Sequence, residues 1–432
     1  MSARKVLLIA YHFPPDPAVG SLRAEKVAAA LRRHGHAVDV VTARLESDVG
    51  TTRPAADPGI RIRTIRPLPG PREWWAWLKR KRAPVAAAGA PTDPAPRDRA
   101  PGWKRLLLSL IWTPDDRQGF ILPAFLVSIT RAWSADLIYS TAPPFSDHLA
   151  GLLLHWFSRT RWVVELRDPW TANAWKPDNA RTGFSDAIER WMERRCLRAA
   201  YRIVCVSQGI YDLVSRNLRP EDRRKLVLVR NGIALMAPSR ASRKPAPLRI
   251  AYIGSFYFNR DPAPFLGALA ALRKTGTTDF ELNLVGRCRW YAGKSVEHVV
   301  QELGLADVTH FIDWVPHEEC QRIVQDADLL LLLAQGQPAQ IPNKLYEYLG
   351  TRIPILAFAD ENGESAGMLR AVGDHIVVSG TSQETVDQAV RRAMDLARTG
   401  LGPGAEATLR DWTTDAQMER LIASLDPGWS PE

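Results

Sequence analysis

Cysteine is scarce in this chain. Four occur in 432 residues (Cys196, Cys205, Cys288, Cys320), widely spaced and never as a CxxC pair. That argues against a zinc site or a disulfide framework and fits a reducing cytoplasm. No uninterrupted apolar run reaches the roughly 18 residues a transmembrane helix needs, so none is expected. Met1 to His12 carries only a short apolar run before a Pro-rich turn. It reads as a first core strand and not as a signal peptide. Internal sequence repeats are absent, as are paired carboxylates that would name a nucleophile and an acid. Asp326-Ala327-Asp328 precedes an apolar run and reads as a turn, so no metal ligand is expected. The formal charge is +10. Nucleic acid, an anionic membrane surface and a polyphosphate ligand all suit that sign. Zinc-finger and RNP-like motifs are missing, so no nucleic-acid partner is expected. Much of the excess lies between residues 61 and 131, which favours a membrane surface.

What is present centres on residues 325–358. Leu329 to Leu333 is wholly apolar and predicts a strand buried on both faces. Pro342 suits the first turn of a helix and Gly350 its stop; Ile353 to Phe358 predicts the next strand. Strand, helix, strand is a βαβ unit of a parallel sheet. Ligands of such sheets sit where strand ends meet helix N-termini. The helix starting near Asn343 offers free N–H groups to a diphosphate. Lys344 adds charge, and Glu347, one turn in, suits a ribose diol. The same stretch reads equally as a surface helix with solvated Lys and Glu.

The strand–helix rhythm runs twice. Residues 1–235 form a first Rossmann-like domain, 236–248 a Pro-rich basic linker, and 249–408 a second such domain. The fold class is α/β, with two doubly wound parallel sheets and an interdomain cleft as the expected ligand site. A terminal helix is expected at about 409–426, packing back on the first domain. Residues 66–131 break the rhythm and read as a basic, Trp-rich insertion. Trp74, Trp75 and Trp77 stand beside Lys79-Arg80-Lys81-Arg82, and Trp103 and Trp112 flank an apolar run. Such a mixture suits the interface of an anionic bilayer. A helical insertion packed on the domain is the other reading.

The chain resembles the family 4 glycosyltransferases of the GT-B fold, the bacterial type that builds polysaccharides and glycolipids. The resemblance is carried by Tyr11 to Arg23, Ser140 to His148, Glu165 to Trp170, Val229 to Gly232, Tyr252 to Tyr257, Leu284 to Gly286 and Pro342 to Gly350. It implies a retaining transferase, metal-independent and without a cofactor, because the nucleotide diphosphate-sugar is a substrate. The implied acceptor is a sugar or a lipid-linked molecule at the inner face of the cell membrane. The donor would bind the second half. Gly254 and Ser255 let backbone approach the diphosphate. Arg260 and Lys344 match the family's basic pair, with Arg287 more loosely placed. Asn343 opens the phosphate-facing helix. Glu347 matches the second glutamate of the family's Glu-x7-Glu motif. Ala339 stands at the first, so backbone groups, Gln337 or Gln340 are its implied replacements. In the first half, Gly20 matches the loop facing the diphosphate, or is a plain helix-start residue. Arg23 points to the same place. His148 matches a cleft histidine, or is an exposed helix-start one. Asp168 falls where acceptor chemistry would occur, or caps a turn. A GT-B epimerase and a non-catalytic nucleotide-sugar-binding or membrane-associated relative stay open as alternatives.

Overall fold

A computed structural model describes residues 3–16, 18–44, 57, 59–70, 106, 109, 111–171, 181–236, 247–257, 260–276, 279–380, 382–402 and 406–425. They fall into two compact units. The first holds the described residues up to Asn231 together with those from Gln417 onward; the second holds Gly232–Ala416.

The first unit is built on seven parallel strands: β1 (Lys5–Ile9), β2 (Ala37–Ala43), β3 (Arg61–Ile65), β4 (Leu137–Ala142), β5 (Arg161–Leu166), β6 (Arg202–Cys205) and β7 (Leu226–Leu228). Their spatial order is β3-β2-β1-β4-β5-β6-β7. β4 is buried at every position, as a central strand covered on both faces must be. One face carries α1 (Val19–Arg33). The other carries α2 (Ile121–Ser134), α3 (Ser146–Ser158), α4 (Gly183–Ala199) and α5 (Gln208–Asn217). Strand order reverses between β1 and β4, so the loops leaving those strands splay to opposite faces and leave a crevice at the carboxyl edge.

The second unit repeats the plan with β8 (Leu248–Ile253), β9 (Phe280–Val285), a small antiparallel hairpin of β10 (Trp290–Tyr291) and β11 (Lys294–Ser295), β12 (Thr309–Ile312), β13 (Leu329–Ala334), β14 (Ile355–Ala359) and β15 (Ile376–Val378). The parallel order is β12-β9-β8-β13-β14-β15, which puts the switch point between β8 and β13. Its helices are α6 (Ala263–Lys274), α7 (Val296–Glu302), α8 (His317–Gln325), α9 (Asn343–Thr351), α10 (Glu364–Val372), α11 (Gln383–Thr399) and α12 (Glu406–Asp411). The five leucines of β13 are all buried, because it is a central strand with helices on both faces.

The last described helix, α13 (Thr414–Leu425), begins in the second unit and ends in the first. Met418, Leu421, Ile422 and Leu425 enter the α1-side core. The Arg230 N–H donates to Gln417 Oε1 at 2.7 Å, and Arg202 Nε donates to the Ser424 carbonyl at 2.9 Å.

Three assignments differ from the sequence reading. The terminal helix expected at about 409–426 is two, α12 ending at Asp411 and α13 starting at Thr414, with Thr413 bridged to Ile233 between them. Residues 118–134 do not belong to an insertion. A short 3-10 turn and α2 form a crossover of the sheet, with Phe120, Ala124, Ser128 and Ala132 buried against it and Leu122 and Leu126 exposed on the outer side. Residues 233–236 pair with the second unit. Ile233 bridges to Thr413, and the Met236 N–H bonds the Gly350 carbonyl at 3.0 Å. Of the residues on which the membrane reading rested, Trp74, Trp75, Trp77, residues 79–82 and Trp103 lie outside the described residues, as do residues 237–246 of the linker, and Trp112 is half-buried.

Candidate functional site

In the second unit the expected donor residues collect at the switch point. β8 and β13 are paired neighbours, Leu329 opposite Ile250 and Leu330 opposite Ala251. The loop with Gly254, Ser255 and Arg260 and the loop with residues 335–342 therefore leave from adjacent strands at one edge. Gly254 has φ +155, and its N–H donates to the Val285 carbonyl at 2.8 Å. Gly286, at φ +105, crowds it from β9: a Cβ there would stand 2.2 Å from the Gly254 oxygen. The backbone turns here are thus set by two glycines touching each other. The Tyr252 hydroxyl donates to the Ser255 carbonyl at 3.1 Å and fixes the turn. Burial pushes that phenol up, against the nearby Arg260, so it stays a donor.

α9 is tied to the same strand end. Tyr348, buried in α9, accepts the Ile253 N–H on its hydroxyl at 3.0 Å. The helix starts after Pro342, and no side chain caps its first turn. N–H groups at this end are therefore left to a ligand or water. Asn343 Nδ2 donates to Glu347 Oε1 at 3.1 Å, and Lys344 Nζ lies 3.9 Å from Glu347 Oε2. Glu347 and Lys344 are each about one-third exposed, 34% and 35%, so both still reach solvent. Arg260 lies with its guanidinium carbon 4.5 Å from the Tyr257 ring centroid, and its buried Nε has no partner.

Three further polar side chains at this edge have a buried atom without a hydrogen-bond partner: Gln335 Oε1, Gln337 Nε2 and Ser365 Oγ. Gln335 and Gln337 follow β13, and Ser365 sits in the first turn of α10, after β14. Asp360 Oδ2 holds the Gln337 N–H at 3.0 Å and so fixes that loop. Buried polar atoms without partners are costly unless something completes them. Sequence reasoning reached Gln337 only as a stand-in for the missing glutamate, and it missed Gln335 and Ser365. The signal for Ser365, a hydroxyl opening a helix after a core strand, is too common to single out.

In the first unit the switch-point edge holds a different set. His12 Nδ1 hydrogen-bonds Asp16 Oδ2. Burial works against the Asp16 charge, but the His12 bond, the Ala18 N–H and Arg117 together hold its carboxyl below the ordinary range. That pairing leaves His12 Nε2, on a partly exposed ring, as the free nitrogen. This pair was not singled out from the sequence.

Gly20 lies in the first turn of α1. A Cβ there would meet the Arg167 guanidinium at 3.1 Å, and its carbonyl accepts from Arg167. The crowding partner is thus a side chain of the same unit, in place of the expected ligand. Arg167 also donates to the Ala142 and Pro143 carbonyls. Asp168 is half-buried directly beside it and attracts its charge. His148 corrects its sequence reading as a cleft-facing or exposed group. It is fully buried, with Nδ1 2.8 Å from Ser140 Oγ and its ring among Phe145, Trp162 and Trp170. Burial, with Arg167 nearby, pushes its pKa down to about 3. It is held neutral among these rings, and its buried Nε2 has no hydrogen-bond partner. Arg23 likewise turns inward, to Glu165 and to the Val229 and Arg230 carbonyls.

Two separate doubly wound parallel sheets, each with polar groups gathered at its switch point, define the GT-B class. Family models agree. "Glycosyl transferase 4-like domain" matches residues 20–232, and "Glycosyl transferases group 1" matches residues 247–395. The chain belongs to the family 4 glycosyltransferases of the GT-B fold. Among solved structures it is similar to sucrose-phosphate synthase from Thermosynechococcus elongatus, at 16% identity and TM-score 0.60 over 98% of this chain and 97% of that one. It is also similar to the lipopolysaccharide outer core galactosyltransferase WaaB, at 11% and 0.57 over 98% and 99%. A third is Anabaena HepE in complex with UDP, at 13% and 0.55 over 98% and 95%. At such identities these likenesses show the fold alone. No curated protein sequence matches the chain.

Proposed function

We propose that this glycosyltransferase moves a sugar from a nucleoside diphosphate to an acceptor hydroxyl with retention, in cell-surface polysaccharide or glycolipid assembly. One observation carries the donor assignment. The uncapped start of α9, with Lys344 and Glu347, lies at the same sheet edge as the Gly254 turn and the partnerless atoms of Gln335, Gln337 and Ser365. The Anabaena relative solved with UDP and with UDP-glucose supports a nucleotide-sugar donor.

In this reading the diphosphate lies against the Asn343 and Lys344 N–H groups and the Gly254–Ser255 backbone. Arg260 and Lys344 oppose the charge that grows as the C1–O bond breaks and the electron pair leaves with the nucleoside diphosphate. Glu347 accepts the ribose hydroxyls, with Asn343 holding its carboxylate in place. Gln337 stands in for the carboxylate lost at Ala339 and offers its Nε2 to the sugar. The leaving diphosphate takes the acceptor proton on the same face, so positioning and charge stabilisation are the protein's share. The first unit's switch-point edge, with Asp168 and His12, receives the acceptor. A lipid-linked acceptor would place the protein peripherally on the cytoplasmic face of a membrane, with residues 71–113 as one contact. Incubating purified protein with a panel of nucleotide sugars and following release of nucleoside diphosphate tests the enzyme reading. A protein that binds nucleotides but releases none with any sugar or lipid acceptor would be a non-catalytic relative.

A further inference from the structure

α2, α3 and α4 lie side by side on one face of the first sheet, α2 against α3 and α3 against α4. Their outer sides carry large apolar groups in water: Leu126 at 60% and Trp133 at 62% on α2, Trp156 at 43% and Phe157 at 59% on α3, Phe184 at 59% and Trp191 at 51% on α4. The α2 and α3 groups are contiguous. Phe125 and Phe157 meet edge to face at 5.1 Å, and Trp133 Nε1 donates to the Phe157 carbonyl at 3.2 Å. A soluble monomer rarely leaves so much apolar surface together unless something covers it.

Charge on these helices is sorted by side. Arg190, Arg194, Arg195 and Arg198 are all exposed on α4, and none pairs with a carboxylate among the described residues. Arg195 rests on the Trp191 ring, 5.6 Å from its centroid. Three of the four carboxylates turn the other way: Asp147, Glu189 and Glu193 are 0%, 3% and 5% exposed, and Asp186, in the first turn of α4, is half-buried. Thr171 Oγ1 donates to Glu193 Oε2 at 2.9 Å, which holds that carboxylate inward. Exposed guanidiniums and indole rings on an apolar face, with only the half-buried Asp186 among them, match an anionic bilayer. The rings sit at headgroup depth, and the arginines meet lipid phosphates.

We infer that the outer face of α2, α3 and α4 is a docking surface for anionic lipid. The inference deepens the membrane part of the proposed function and moves it to residues other than 71–113. It uses none of the nucleotide-site residues, so the two ideas fail separately. The test is sedimentation of the full chain with phosphatidylcholine vesicles, with and without phosphatidylglycerol. The expected result is binding that needs phosphatidylglycerol and weakens with salt. It should fall at least 30-fold both in a variant with the four α4 arginines changed to Gln and in Phe184→Ser/Trp191→Ser. Far-UV circular dichroism and nucleoside diphosphate affinity should stay at wild-type values in both. Three results would overturn it: no binding even at low salt; loss only when residues 79–82 become Ser; or a lipid-free dimer that Phe184→Ser/Trp191→Ser dissolves, which would assign the face to a second copy.

Discussion

Arg23 and Glu165 meet at 2.8 Å inside the first unit, with 4% and 0% of their side chains exposed. Glu165 also accepts from the Tyr139 hydroxyl at 2.8 Å and from Thr141 Oγ1 at 2.6 Å. Arg23 spends its remaining donors on the carbonyls after β7. Burial alone would raise the Glu165 pKa, but Arg23 and Thr141 hold it below the ordinary range, so the pair is ionised. Arg23→Gln should therefore cost about 3–5 kcal/mol of stability, because it strands a buried carboxylate. Urea unfolding measures this. Nucleotide affinity should be untouched, since Arg23 serves the fold of the first unit.

A second prediction concerns pH. Burial, aided by Glu189, pushes the Glu193 carboxyl from an ordinary value near 4.5 up to about 7. The folded state therefore holds this proton more tightly than the unfolded chain does. Its stabilising effect is full at low pH and is lost as pH rises through about 7. Glu193→Gln, which cannot titrate, should gain about 2 kcal/mol on the wild type between pH 5 and pH 8. Unfolding curves at the two pH values measure the gain, and parallel behaviour of the two proteins would remove Glu193 as a titrating group.

The sheets were largely legible because parallel strands buried on both faces leave apolar runs, such as Leu329 to Leu333 and Trp162 to Val164. The helix start after Pro342 was legible, but Gly350, read as its stop, lies inside the helix, which ends at Thr351 with left-handed Arg352 after it. Side-chain direction was not. Arg23 and His148 sit in motif-like surroundings, yet one turns inward to Glu165 and the other packs under Trp170, because long-range contacts decide where a side chain points. The Glu165 partners lie 24, 26 and 142 residues away in sequence. The apolar run 120–129 was absorbed into an insertion, since an amphipathic crossover helix and an interfacial helix share one pattern. His12 and Asp16 were passed over because a breaker-rich loop gives no period to read.

The basic pair predicts a kinetic signature. Arg260→Gln and Lys344→Gln should each lower turnover about 10- to 1000-fold, because each opposes leaving-group charge in the transition state. Nucleoside diphosphate release under saturating donor measures it. Full activity in both variants would disprove the phosphate clamp.

The central claim is that the start of α9 holds a nucleoside diphosphate, and calorimetric titration tests it most directly. UDP, GDP, ADP, CDP and dTDP are titrated into the wild type and into Glu347→Ala. One or more should bind the wild type. The variant should bind it more weakly by roughly 1.5–3 kcal/mol, the worth of charge-assisted hydrogen bonds to the ribose, with an unchanged unfolding midpoint in the absence of ligand. Equal affinity in the two proteins, or no binding to any of the five, would contradict the assignment.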